Sequence, residues 1–283
     1  MENKLSIRSI GLVAKAEYIR WITNPRMLIL GMLLLVMKPL AVEPLLEMSR
    51  KAEFPLHALE PFIAILNSYF LLLMIPCVYL VLVSDYPQLG HNTVFVLHRT
   101  GKGNWYLGQS LFALWSILTF LGVVCLGSIL MHHGQWGSQW SDTVTKYLAW
   151  FPNEQYSYAS ELIPSNLYNQ MSLRMAVVHS VLLIGGYLFL MVQLCCLFRI
   201  LGYRVLGLAV VFGIIATGVF TTGLQLPLMW AFPMANSLVW YHYTAILRAQ
   251  IYPIWASYAY MVGAILVCMG MNAWALRKMT LND

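Results

Sequence analysis

An all-α fold that crosses a lipid bilayer repeatedly is what this chain predicts, and three observations lead there. Of its 283 residues 60% are hydrophobic and only 10% charged, with a mean hydropathy of +0.68, a balance foreign to soluble globular domains. The apolar residues come in continuous runs of about twenty or more, the length a helix needs to cross ~30 Å of hydrocarbon at ~1.5 Å per residue. Backbone in lipid must satisfy its own hydrogen bonds, and the short alternating segments of a β-barrel are missing, so the runs read as helices.

The chain opens with an amphipathic stretch. From Lys4 to Ile22, the residues Ile7, Ile10, Ala14, Tyr18 and Trp21 recur at spacings of three and four and share one helical face, with Lys4, Arg8 and Lys15 along one flank. This predicts an N-terminal interfacial helix within residues 1–26, lying in the headgroup layer; the alternative is a helix packed on the protein itself. No small-residue cleavage site follows the first apolar run, so a secretory signal is not expected. Asn24 and Pro25 break the helix and turn the chain into the membrane. Six transmembrane helices follow, near Met27 to Leu46, Pro61 to Val83, Leu107 to Met131, Met175 to Phe198, Val205 to Met229 and Ile254 to Leu276. Lys38, Pro39, Glu43 and Pro44 interrupt the first, which gives it an alternative end near Leu40.

Charge orients the spans. Lys4, Arg8, Lys15, Arg20 and Arg26 precede the first; Arg99 and Lys102 separate the second and third; Arg199 and Arg204 separate the fourth and fifth; Arg277 and Lys278 follow the sixth. The other side mixes Arg50, Lys51, Lys146, Arg174 and Arg248 with Glu43, Glu47, Glu53, Glu60, Asp142, Glu154 and Glu161. Both termini are therefore expected in the cytoplasm, in a multi-pass protein of the plasma (cytoplasmic) membrane. The net charge of +6 is a topology signal and implies no nucleic-acid partner.

Two segments on the acidic side exceed a turn. Residues 132–174 carry Trp136, Trp140, Tyr147, Trp150, Tyr156, Tyr158 and Tyr168, and are expected to line the headgroup layer, with substrate contact as the alternative. The stretch from Leu226 to Pro253 is too apolar for a free loop and is divided by Pro227, Pro233 and Pro253. It predicts a re-entrant segment of short helices before the sixth span, buried against protein.

Motifs for catalysis are missing. Gly101-Lys102-Gly103-Asn104 lacks the spacing and the hydroxyl of a phosphate-binding loop, and neither H-E-x-x-H nor G-x-S-x-G occurs. His132 and His133 point apart on a helix or a strand, so no metal site is expected there. Cys77, Cys125, Cys195, Cys196 and Cys268 fall inside the spans as small apolar residues. Polar residues within spans are few: Lys38, Asn67, His179, Gln193, Gln225 and Asn272. Lys38, Asn67, His179 and Gln193 are the candidates for a substrate path, while hydrogen bonds between helices, worth ~0.6–2 kcal/mol each, are the other use of His179 and Gln193. Small residues at Gly185, Gly186, Ala209, Gly213, Ala216, Gly218, Gly223 and Gly263 mark faces where helices can approach. No copy of one half of the chain is found in the other.

The stretch from Ser84 to Gln109 is a polar, basic, turn-rich island between two apolar runs. A helix starting near Asp85, with Pro87 in its first turn and the acid at its positive end, would present Leu89, Val94 and Leu97 to a partner and stop at Gly101 and Gly103. Together with the entry helix, the six spans and the re-entrant stretch, this segment resembles the permease subunit of an ABC-2 type transporter. The resemblance covers the whole chain, residues 1–283, as a single permease domain. Its sequence signal lies in Asp85, Gly90, the apolar run Val94 to Leu97, then Arg99, Thr100 and Gly101, and a restart at Trp105 to Gln109. Gln109 stands where that family more often has Lys, and the segment 132–174 is long for it.

The resemblance implies that residues 84–106 form a short cytoplasmic coupling helix between spans two and three, docked in a cleft of a separate ATPase. Asp85, Leu89, Gly90, Val94, Leu97, Arg99 and Gly101 would be the coupling residues. ATP and Mg would belong to that cytosolic ABC ATPase subunit, with no cofactor in this chain, and a second permease chain, identical or homologous, would complete the path. A secondary transporter or channel is the competing expectation, centred on Lys38. An intramembrane enzyme would need paired acids, a Ser dyad or a His cluster at facing depths.

Overall fold

A computed structural model describes residues 5–88, 91–132, 134–245 and 249–278, with the backbone alone at 91–94. Lys4, Leu89, Gly90, His133, Arg248 and the Val94 side chain, which carry readings above, lie outside the described residues. Among those described, strand pairing is limited to two isolated bridges, His57 with Gln135 and Tyr243 with Gln250. In chain order the helices are α1 (Ile7–Ile22), α2 (Leu28–Met37), α3 (Glu43–Ala52), α4 (Glu60–Asn67), α5 (Tyr69–Leu82), α6 (His91–Thr100), α7 (Lys102–His132), α8 (Asp142–Trp150), α9 (Tyr158–Leu162), α10 (Ser165–Tyr168), α11 (Leu173–Ile200), α12 (Arg204–Gly223), α13 (Pro233–Ser237) and α14 (Ile254–Lys278). Five helical stretches, Pro25–Ala52, α7, α11, α12 and α14, are long and apolar enough to cross a membrane. A sixth crossing results if α4 and α5, bent by 82° at their junction, form one broken span.

Helix α1 turns its aromatic face toward protein. Val13, Ala14 and Trp21 are buried, the Tyr18 and Thr119 hydroxyls are 2.8 Å apart, and Trp21 Nε1 donates to the Leu82 carbonyl at 3.1 Å. From Ala14 to Trp21 this face packs against protein, α7 above all, as in the alternative of a helix packed on the protein itself. Small size at the crossing explains the choice: a Cβ at Gly108 would stand 2.7 Å from Val13 Cβ and 2.9 Å from the Ile10 carbonyl oxygen. The side left exposed mixes Leu12 and Ile19 with Arg8 and Lys15, and Ile7, at the start of the aromatic face, is exposed as well. Asn24 caps the turn that follows, accepting from the Arg26 N–H at 2.9 Å.

The first span passes its prolines. Residues Lys38–Val42 form a π-helical turn between α2 and α3, so the helix neither stops near Leu40 nor at Leu46 but runs to Ala52. Widening the turn absorbs the donors that Pro39 and Pro44 lack. Pro44 has no N–H to offer the Leu40 carbonyl four residues back, and the Tyr158 hydroxyl bonds that carbonyl at 2.6 Å.

Residues 134–172 form a folded cap on the acidic end of the bundle. Short helices α8, α9 and α10 enclose, with α3 and α4, a core of their own that includes Leu45, Met48, Ile63, Trp140, Tyr147 and Leu167. Tyr147 and Trp140 are buried in it, whereas Trp136 and Tyr156 are exposed; the aromatic residues thus divide between core and surface instead of lining one layer. Lys51 Nζ meets Glu154 Oε1 at 2.7 Å, and Tyr147 also donates to that carboxylate. Beneath the cap, fully buried Glu60 accepts from the His57 N–H at 2.8 Å, the Ser141 N–H at 2.6 Å and the Ser141 hydroxyl at 2.9 Å. One carboxylate therefore ties the start of α4 to the start of α8.

The stretch before α14 is built of short turns, Pro227–Ala231, α13 and Val239–His242. Its interior is polar yet fully engaged: Asn236 Nδ2 donates to the Trp230 and Phe232 carbonyls at 2.8 and 2.9 Å. Ser257 on α14 donates to Asn236 Oδ1 at 2.7 Å and lies 2.7 Å from His242 Nε2.

Replacing Glu60 by Leu is expected to strand one buried and one part-buried backbone N–H group, at a cost of about 3 kcal/mol. Limited proteolysis should then cut within 134–172 while α7 and α11 stay protected. Protection of the cap equal to wild type would contradict the clasp.

Candidate functional site

At the basic end of the bundle, the segment read as a coupling helix divides in two. Its first part is an ion-pair hub. Asp85 Oδ2 meets Arg26 Nη1 at 2.5 Å and Asp85 Oδ1 meets Arg204 Nη2 at 2.8 Å. Arg26 also donates to the Ser84 hydroxyl at 2.8 Å, and Arg204 to the Ser84 carbonyl at 3.3 Å. Three stretches far apart in sequence, the turn after α1, the end of α5 and the start of α12, are thereby held by one carboxylate. Arg20 on α1 adds a bond to Gln88 Oε1 at 2.5 Å. With the Asp85 carboxylate and the Ser84 carbonyl engaged in this way, the chain at Asp85 does not start a helix, and α6 begins at His91.

Helix α6 is the second part. Gly101, with φ +83°, ends it by donating its N–H to the Leu97 carbonyl at 2.8 Å, a left-handed stop that Gly adopts without steric cost. Gly103 lies inside α7 and ends nothing. Asn104 joins three elements: its Nδ2 donates to the Thr100 carbonyl at 2.8 Å and its Oδ1 accepts from the Ser6 N–H at 2.9 Å. Leu97 is 3% exposed and is already buried within this chain. Among the described side chains of α6, those at the surface are Phe95, 74% exposed, and Val96, 37% exposed, beside exposed His98 and Arg99. Phe95 and Arg99 stand four residues apart, one turn above each other on the helix.

Gln109, where the resemblance would favour Lys, is buried and donates to Glu17 Oε1 on α1 at 3.3 Å. Glu17 lines a small cleft together with Trp21, Arg26, Asp85, Tyr86 and Phe112. Burial pushes the Glu17 carboxyl above the usual carboxylate range, and Arg20 and Gln109 pull it partly back.

The residues read as a substrate path are not brought together. Lys38 projects from the π-helical turn, half exposed, 3.7 Å from Glu43. Asn67, at the break between α4 and α5, donates to Ser180 Oγ at 2.7 Å and accepts from the Val239 N–H at 3.2 Å. His179 Nδ1 is 2.8 Å from the Tyr258 hydroxyl. Gln193 accepts from the Tyr106 hydroxyl at 2.9 Å and from Asn272 Nδ2 at 3.2 Å. Asn67, His179 and Gln193 therefore all bond between elements.

Sequence reasoning missed the roles of Arg26 and Arg204, which it used only as topology markers, and of Phe95, whose spacing from Arg99 was the available signal. It also missed the contact between His242 and Ser257, residue types that an intramembrane hydrolase would need; both are fully buried, and the bonds described above tie them into the packing of α13 on α14. No family model, no curated protein and no solved structure matches the chain.

Glu17 supplies a test of the contact between α1 and α7. Its pKa in the folded chain is raised above 4.5, so folding binds its proton more tightly and stability falls as pH rises from the unfolded value through the folded one. Glu17→Gln is expected to melt at a slightly higher temperature than wild type at pH 7, with the gap closing below about pH 4.5. A variant that melts lower at pH 7 would show that the charged carboxylate stabilises the contact.

Proposed function

We propose that the chain is the membrane-spanning permease subunit of an ATP-driven transporter of the ABC-2 type, set in the cytoplasmic membrane with both termini in the cytoplasm. The positive-inside rule supports this orientation, because Arg26, Arg99, Arg199, Arg204 and Arg277 would all lie on the cytoplasmic side. The observation that carries the reading is α6: an aromatic anchor and a cation on the outer surface of a short helix whose other side is fixed by Leu97 and capped by Gly101.

An exposed Phe with an adjacent Arg is the composition of an interface anchor. The partner proposed for it is a cytosolic ABC ATPase, which would hold ATP and Mg; this chain would contribute no ATPase site. Movement of that partner would reach the spans along two connections, α6 through Leu97 and Gly101 to α7, and Ser84–Asp85 through Arg204 to α12. A second permease chain, identical or homologous, would complete the passage. The second reading, a secondary transporter or channel, is favoured by one observation, the Lys38–Glu43 pair on an exposed face of the first span. Gradient-driven uptake into vesicles containing this chain alone would select it.

Phe95→Asp is expected to leave folding intact, since the side chain faces away from the core, and to weaken capture of the co-purifying nucleotide-binding chain by roughly 2 kcal/mol, about thirtyfold. Thr145→Asp in the cap is the control. Equal capture by both variants, or no nucleotide-binding chain in the wild-type preparation, would remove the support for this reading.

A further inference from the structure

The ion-pair hub carries more positive charge than it neutralises. Arg26 and Arg204 share the two oxygens of Asp85, while Arg199, in the last turn of α11, has a buried Nη1 with no hydrogen-bond partner. Arg199 and Arg204 line the same small, partly open cavity, to which Ser84 also contributes and in which Leu80, Val83 and Leu208 form an apolar wall. Arg204 is also the first residue of α12, a helix with no acid in its first turn and no side-chain cap. A cation there opposes the helix dipole, and the free N–H groups of that turn favour an anion. Outside the cavity, Leu201, Tyr203, Val205 and Leu206 are exposed.

We infer that this cavity binds the phosphate of an anionic phospholipid, with Arg199, Arg204 and the first turn of α12 around the phosphate oxygens and the acyl chains along Val205 and Leu206. An orphaned guanidinium N–H, an uncapped helix start and an apolar slope meet at one end of the bundle, and a phosphodiester on two acyl chains satisfies all three. A zwitterionic lipid brings its own cation and leaves the surplus charge unmet. The site does not depend on the ATPase partner, so failure of one proposal leaves the other standing.

The test is a thermal-shift titration of the purified chain in mixed micelles, with phosphatidylglycerol, with phosphatidylcholine of the same acyl chains, and with inorganic phosphate. Ligand binding to the folded state raises the melting temperature in proportion to affinity. Wild type is expected to bind phosphatidylglycerol at least about tenfold more tightly than phosphatidylcholine, the size of one charge-assisted contact. Arg199→Gln should lose that preference, Arg199→Lys should keep much of it, and Arg99→Gln, which removes the same charge elsewhere, should keep it all. Equal binding of the two lipids, or a preference that falls equally in the Arg199 and Arg99 variants, would overturn the site. Protection by inorganic phosphate equal to that by phosphatidylglycerol would overturn the lipid as its source. Should Arg199→Gln not fold, the wild-type lipid comparison and the phosphate arm decide alone.

Discussion

One carboxylate organises the basic end of this molecule. Asp85 stands where the turn after α1, the end of α5 and the start of α12 meet, and its two oxygens face Arg26 and Arg204. Neutralising it would leave Arg26, Arg199 and Arg204 close together without the carboxylate that bridges two of them. Each pair is partly exposed, so neither alone is worth more than about 1 kcal/mol. Their shared partner is what matters: the three elements cannot separate without breaking both.

Elsewhere in the bundle other buried polar groups join elements in the same way. At several places a buried polar group is answered by a specific partner from another element. Asn67 does so at the break between α4 and α5, Gln193 and Asn272 between α11 and α14, Glu60 beneath the cap, and Tyr158 at the carbonyl that Pro44 leaves open. In a chain that is 60% hydrophobic, such bonds are directional where apolar packing is not, and they fix how the helices are rotated against one another. They also account for irregular backbone, the π-helical turn and the short turns before α14, being tolerated deep in the fold.

Much of this was legible in the sequence, and what was not shares a cause. Long apolar runs identified the helices because hydrophobic length is a local property. The aromatic face of α1 was found for the same reason, but its destination depended on Gly108, a residue nearly one hundred positions away. Asp85 and Pro87 look locally like a helix start; the arginines that hold Asp85 out of a helix come from elsewhere in the chain. Leu97 and Phe95 are both apolar neighbours on one helix, and only the packing of α6 decides which is spent on the core. The short helices of the cap are too brief for periodicity to separate them from a loop.

The central claim, that Asp85 joins distant elements through its arginines, is tested most directly by a double-mutant cycle of Asp85→Asn and Arg204→Gln, followed by reversible unfolding in mixed micelles. Coupling of about 0.5–1 kcal/mol is expected, shrinking as salt is added. Effects of the two changes that simply add, within about 0.3 kcal/mol at low salt, would contradict it.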